Sequence, residues 1–162
     1  MREVSANRIN VRTLPSAWLP VVFCIAVIML ESTATFGADH TNGPLRALFE
    51  AIFGAVNNAE WLDIHHMIRK TGHFVGYGTI GLVWLRAWRL SAPRISLWIA
   101  FLLALIGTAL MAGSDELHQS FLPNRTGMFS DVVLDCSAAL MLLLITCIWL
   151  KVRSFGAAEK AA

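Results

Sequence analysis

From Thr13 to Leu30 the chain carries no charged residue, and the same holds from Ile95 to Ser114. From Val132 to Leu150 the only charge is Asp135. A helix rises about 1.5 Å per residue, so roughly 18–20 such residues cross a hydrocarbon layer about 30 Å thick. A fourth run, Thr71 to Leu85, is shorter. It spans if Arg69 and Lys70 at one end and Arg86 and Arg89 at the other extend their alkyl stems to reach water. The expected fold is all-α: a four-helix transmembrane bundle forming a single domain (1–162), with spans near 14–32, 69–89, 95–114 and 131–150. The charged fraction of 15% is well below the roughly 25% of soluble domains, and the deficit lies in these runs.

Arg2, Arg8 and Arg12 precede the first run, and Ser32-Thr33-Ala34 follows it. The run is longer than the apolar segment of a secretory signal and ends in Glu31, so a retained helix is expected. With the N-terminus inside, the inner side also holds Arg86, Arg89, Arg94, Lys151, Arg153 and Lys160. Only Arg46, Arg69, Lys70 and Arg125 remain outside. The bias of basic residues toward the cytoplasm then predicts both termini inside a cell membrane. The formal charge of +2 is the residue of this segregation, so it gives no reason to expect nucleic acid as a partner. Cys24, Cys136 and Cys147 lie in apolar runs and read as packing residues.

The first outer loop, about 34–70, is long. Leu45, Leu48, Phe49, Ile52, Phe53 and Val56 recur on one helical face. Thr41-Asn42-Gly43-Pro44 reads as its start and Asn57-Asn58 as its stop. An interfacial amphipathic helix, or one that caps the bundle, is expected here, then a helix from near Asn58 into the second span.

All five histidines and the carboxylates from Glu31 to Asp135 fall on the predicted outer side. A charge at the centre of a spanning helix costs about 2.5–3.5 kcal/mol, so such groups pair or face a wet cavity. Lys70, His73 and Tyr77 share one helical face, and Gly72 with Gly76 offers a close approach beside it. At the end of the third span Glu116 pairs in register with Gln119, and Asp115 with His118. Pro123 ends that helix, Asn124 to Gly127 turns, and Ser130 is placed to cap the fourth helix. Arg125 is the one basic residue of this loop, suited to carboxylates or an anionic headgroup. Asp131 and Asp135 stand one turn apart, the deeper one needing Lys70, His73 or Arg125 as partner. His73, His118, Glu116 and Asp131 are metal-ligand types, but no tight spacing joins them, so neither metal nor other cofactor is expected.

The string Arg69-Lys70-Thr71-Gly72-His73-Phe74 with Tyr77, followed by Ser114-Asp115-Glu116, His118, Gln119, Phe121, Pro123, Arg125 and Asp131, resembles the VanZ-like family of small membrane proteins. Ser32 matches a family serine after the first span. Where the family often carries Asn and Gly in the fourth span, this chain has Asp135 and Ala138. The resemblance implies an envelope membrane protein, linked in the founding member to resistance to the glycopeptide teicoplanin, and it implies no known reaction.

Two functions follow. In the first, Lys70, His73, Tyr77, Glu116, Gln119, Arg125, Asp131 and Asp135 form an outer site for a membrane lipid, a cell-wall precursor or a glycopeptide, or an ion-pair network that only fixes the fold. In the second, the chain is an enzyme on a lipid-linked substrate. There Lys70 and Arg125 would neutralise a phosphate, and His73, Glu116 or Asp131 would move protons. No nucleophile-and-base signature is visible, which favours binding.

Overall fold

The computed structural model describes residues 14–123 and 125–159. Arg2, Arg8, Arg12, Asn124 and Lys160, used above, lie outside the described residues. The described residues form helices joined by short loops, with no strand. They form α1 (Leu14–Glu31), a 3-10 turn (Ala34–Phe36), α2 (Ala38–Phe53), α3 (Asn58–Ser91), α4 (Leu97–Ser120) and α5 (Phe129–Glu159).

Helices α1, α4 and α5 are long and apolar enough to cross a membrane. Helix α3 is longer than any of them, but Arg69, Lys70, Arg86 and Arg89 bracket its apolar stretch closely, and it does not meet that measure. It is nevertheless the axis of the molecule, packing against α1, α4 and α5. Its contact with α5 rests on small residues. A Cβ on Gly81 would stand 3.1 Å from that of Ala139, and one on Gly78 would stand 2.7 Å from Leu142 Cδ1. Ala138 and Ala139 are fully buried opposite them. The close approach thus lies at Gly78 and Gly81 and not at Gly72 and Gly76, where a Cβ meets nothing within 4 Å. On its other side, α3 lays Trp84 over Gly107 of α4.

The two ends differ in kind. At one end Trp18 Nε1 donates to Ser91 Oγ at 2.7 Å, and Arg86 donates to the Ser16 carbonyl at 3.0 Å. Trp18 packs edge-on against Trp84 and Trp88. Lys151 lies over Trp98 and Arg153 over Trp149. Aromatic rings mixed with basic side chains are what a membrane–water boundary favours. The opposite end collects the acids and histidines.

Helix α2 differs from expectation at both ends. It begins at Ala38, with Pro44 inside it, and stops at Gly54, whose φ of 91° suits only glycine. Asn57 starts α3 instead of ending α2: its side chain accepts from the Glu60 amide at 2.9 Å. Val56 therefore lies beyond the amphipathic helix. Arg46 staples the junction, donating to Glu50, Asn58 and the Val56 carbonyl. Further along, the Trp61 indole donates to Asn42, and Thr41 Oγ1 lies 3.1 Å from His65 Nε2. Burial, and then the charge of Arg69, holds the His65 pKa below its ordinary value. Leu48, Ile52 and Phe53 remain exposed, an uncovered apolar stripe.

The glycine contact makes a paired prediction. Gly81→Leu should destabilise the protein by about 1–3 kcal/mol through overpacking. Gly72→Ala should leave the thermal midpoint in detergent unchanged or raise it, since alanine is the better helix former. Equal effects of the two changes would contradict this placement of the α3–α5 contact.

Candidate functional site

Lys70, His73 and Tyr77 fall on one face of α3 because they are three and four residues apart. Each meets an acid. The Lys70 ammonium pairs with Asp131 in the first turn of α5, where the helix dipole also favours a carboxylate. One turn deeper, His73 Nδ1 lies 3.4 Å from Asp135 Oδ2. The Tyr77 hydroxyl donates to Asp115 Oδ2 of α4 at 2.9 Å. Beside it, Glu116 Oε2 accepts from the Met128 amide at 2.8 Å. That bond needs Gly127, because a Cβ there would stand 2.1 Å from the Glu116 carbonyl oxygen.

The acids are deeply placed. Asp135 is fully buried, and Asp115, Glu116, Gln119 and Ser32 are nearly so. Asp115 Oδ1, Glu116 Oε1, Asp135 Oδ1, Gln119 Nε2 and Ser32 Oγ have no hydrogen-bond partner. His73, Glu116 and Asp135 each bring one ligand-type atom to within 4.8 Å of the others.

Arg125 reaches the polar end but does not make the carboxylate pair expected of it. Its Nη2 donates to the Glu31 carbonyl at 2.6 Å and the Thr33 carbonyl at 2.9 Å, closing the C-terminus of α1. The orphan carbonyls of a helix end compete well for a guanidinium that must be satisfied. Its charge is therefore not neutralised there. Burial, and then the positive charge of Arg69, lowers the Arg125 pKa.

Two adjoining cavities open around these groups. One of about 140 Å³ is lined by Glu31, Phe36, Thr41, Leu45, Arg69, Gly72, His73 and Arg125. The other, of about 300 Å³, shares Arg69, His73 and Arg125 and adds His65, His66, Lys70, Gln119 and Asp131. A space for little more than one water lies deeper, between Ser32, His73, Tyr77, Asp115 and Gln119.

The VanZ/LLP1 family model matches residues 17–150. The chain belongs to the VanZ/LLP1 family. Comparison with curated proteins and with solved structures gave no match. Family membership and three apolar helices together make the chain a multi-pass membrane protein.

Most of the residues carrying the family resemblance converge here. Lys70, His73, Tyr77, Glu116, Gln119, Arg125, Asp131 and Asp135 all stand at the polar end. His118 does not join them, being exposed on the far side of α4. Asp115 therefore parts from His118 and belongs with Tyr77. Its spacing of four from Gln119, a helical neighbour as close as one three away, was the available signal. Arg69, a flank of the span and the first residue of the family string, lines both cavities, although it is not among the site residues expected from the sequence. Ser130 lies inside the first turn of α5 rather than capping it, with its hydroxyl 3.3 Å from Asp131 Oδ1.

Removing the Tyr77 hydroxyl should leave Asp115 without its one donor. An unpaired buried acceptor costs about 1–3 kcal/mol. Tyr77→Phe should lower the thermal midpoint in detergent by several degrees, and an unchanged midpoint would mean that Asp115 finds another donor.

Proposed function

We propose that this VanZ-family protein is a four-span protein of the cell membrane whose polar end faces outward and binds the phosphate of an anionic lipid or lipid-linked cell-wall precursor. Support for α3 as the fourth span comes from its alignment with α1. Arg125 bonds at Glu31, and Glu31 and His73 line one cavity, while Arg86 bonds at Ser16 at the other end. Helix α3 therefore runs beside the whole length of an apolar helix. Support for the orientation comes from the aromatic and basic end, which matches a cytoplasmic boundary.

The observation that carries the ligand class is the pair Arg69 and Arg125. Both line the same two cavities, and neither forms an ion pair with a carboxylate among the described residues. Two like charges close enough to perturb one another favour an anion between them. A phosphate supplies acceptors for both guanidiniums. The apolar lining from Phe36 and Leu45 and the open stripe of α2 suit the acyl or prenyl part of the same molecule. Holding such a precursor at the outer surface would alter its access to glycopeptides, which would account for a change in teicoplanin susceptibility.

An enzymatic reading has one observation in its favour. His73 is set against Asp135 and faces both cavities, an arrangement suited to proton transfer. Asp131 suits it less, because Lys70 occupies its carboxylate.

Two measurements test the proposal. With the native cysteines replaced, Asn57→Cys should react with an impermeant maleimide in intact cells and Pro93→Cys only after lysis. The reverse pattern would refute the orientation. In nanodiscs, native mass spectrometry should find an anionic phospholipid or polyprenyl phosphate retained over phosphatidylcholine. Arg69→Gln should weaken that retention about ten-fold or more, as loss of a charge-assisted contact predicts. Equal retention of neutral and anionic lipids would refute the ligand class. At equal protein level, Arg69→Gln should also abolish any shift in teicoplanin susceptibility.

A further inference from the structure

Below the two cavities the charge balance reverses. Asp115, Glu116 and Asp135 are buried together, and among the described residues neither Lys70 nor Arg125 forms an ion pair with any of them. Lys70 is held by Asp131 at the rim, and Arg125 by the carbonyls of Glu31 and Thr33. Among the described residues, the His73 imidazole contacts one of the three acids, Asp135. Carboxylates in a low-dielectric interior need compensation by partners, protons or a cation. Each of the three has an oxygen with no hydrogen-bond partner.

We propose that His73, Glu116 and Asp135 bind a divalent transition-metal cation, of the Zn²⁺ or Mn²⁺ type, at the base of the outer cavity. One ligand atom from each lies within 4.8 Å of the other two. Ligands about 2 Å from a tetrahedral ion stand about 3.3 Å apart, so the set closes around a metal if each ligand atom moves inward by up to about 1 Å. His73, partly open to the cavity, supplies part of that movement and an entry route, since it lines both outer cavities. Asp135 Oδ1 and Glu116 Oε1 are the orphaned buried oxygens that such an ion would satisfy. The Met128 amide holds the other Glu116 oxygen, which fixes the carboxylate's orientation. One imidazole and two carboxylates suit zinc or manganese, whereas copper(I) would call for thiolate or thioether sulfur. Magnesium would be expected to keep oxygen ligands throughout.

The three residues come from three helices, α3, α4 and α5, which explains why no ligand spacing exists in the sequence. The site does not rest on the lipid reading, because it uses neither Arg69 nor Arg125. A cation there would add positive charge beneath a bound phosphate, so the two sites would reinforce one another.

The test is metal retention by tag-free protein in detergent, loaded with Zn²⁺ or Mn²⁺ alone, desalted and analysed by plasma mass spectrometry. Wild type should retain about one ion per chain and show a raised thermal midpoint. His73→Ala, Glu116→Gln and Asp135→Asn should each reduce retention by more than about ten-fold. His66→Ala and His118→Ala should not, and neither should Arg69→Gln, which separates this outcome from failure of lipid binding. His73 is only partly buried, so its variant reports on the site even if a change at fully buried Asp135 prevents folding. Wild-type retention below about a tenth of an ion per chain for both metals overturns the proposal. So does retention that survives His73→Ala, which would assign the metal to surface histidines.

Discussion

The approach of α3 to α5 is the contact on which the polar end depends. Gly78 and Gly81 present no side chain to Ala138, Ala139 and Leu142, so the two backbones lie close. In a membrane, apolar side chains gain little from leaving lipid, and helices associate where small residues permit dense packing. That closeness, just below His73, sets the reach of the α3–α5 pairs above it. Lys70 meets Asp131 and His73 meets Asp135 because the two helices are already near at position 78. Alanine at 138, where the family often has glycine, is accommodated because α3 contributes the glycines.

Charge is arranged in two tiers. Toward the rim, Arg69 and Arg125 line cavities without carboxylate partners, and Lys70 is balanced by Asp131. Deeper, acids outnumber cations and their free oxygens are sealed from water. A network built only to register helices would pair each acid with a base, because unpaired buried charge is costly. Here the cations and the acids are instead offset along the helix axis. Arg125 illustrates the reason: its hydrogen bonds go to the end of α1, which leaves its charge available to the cavity.

Much of this was legible in the chain. Long uncharged runs report spanning helices directly, because hydrocarbon excludes charge and helical rise is constant. The i, i+3, i+7 face of Lys70, His73 and Tyr77 follows from helical periodicity, and it survived intact. Periodicity also placed α2, but its ends were misread. Gly54 at positive φ stops the helix before the Asn57-Asn58 stop read from the sequence, and Asn57 caps the helix expected to begin near Asn58.

What the sequence determined alone is what depends on local or one-dimensional physics: an all-helical membrane protein, its apolar runs, the polar face of α3, and membership of its family. What only the tertiary structure decided is which polar groups touch. Asp115 belongs with Tyr77, His118 belongs to the surface, Arg125 bonds carbonyls rather than acids, and Gly78 with Gly81 carries the close packing. Each depends on the rotation of one helix about its axis relative to another. That rotation is set by the side chains that fit between them, and spacing within a single helix does not record it.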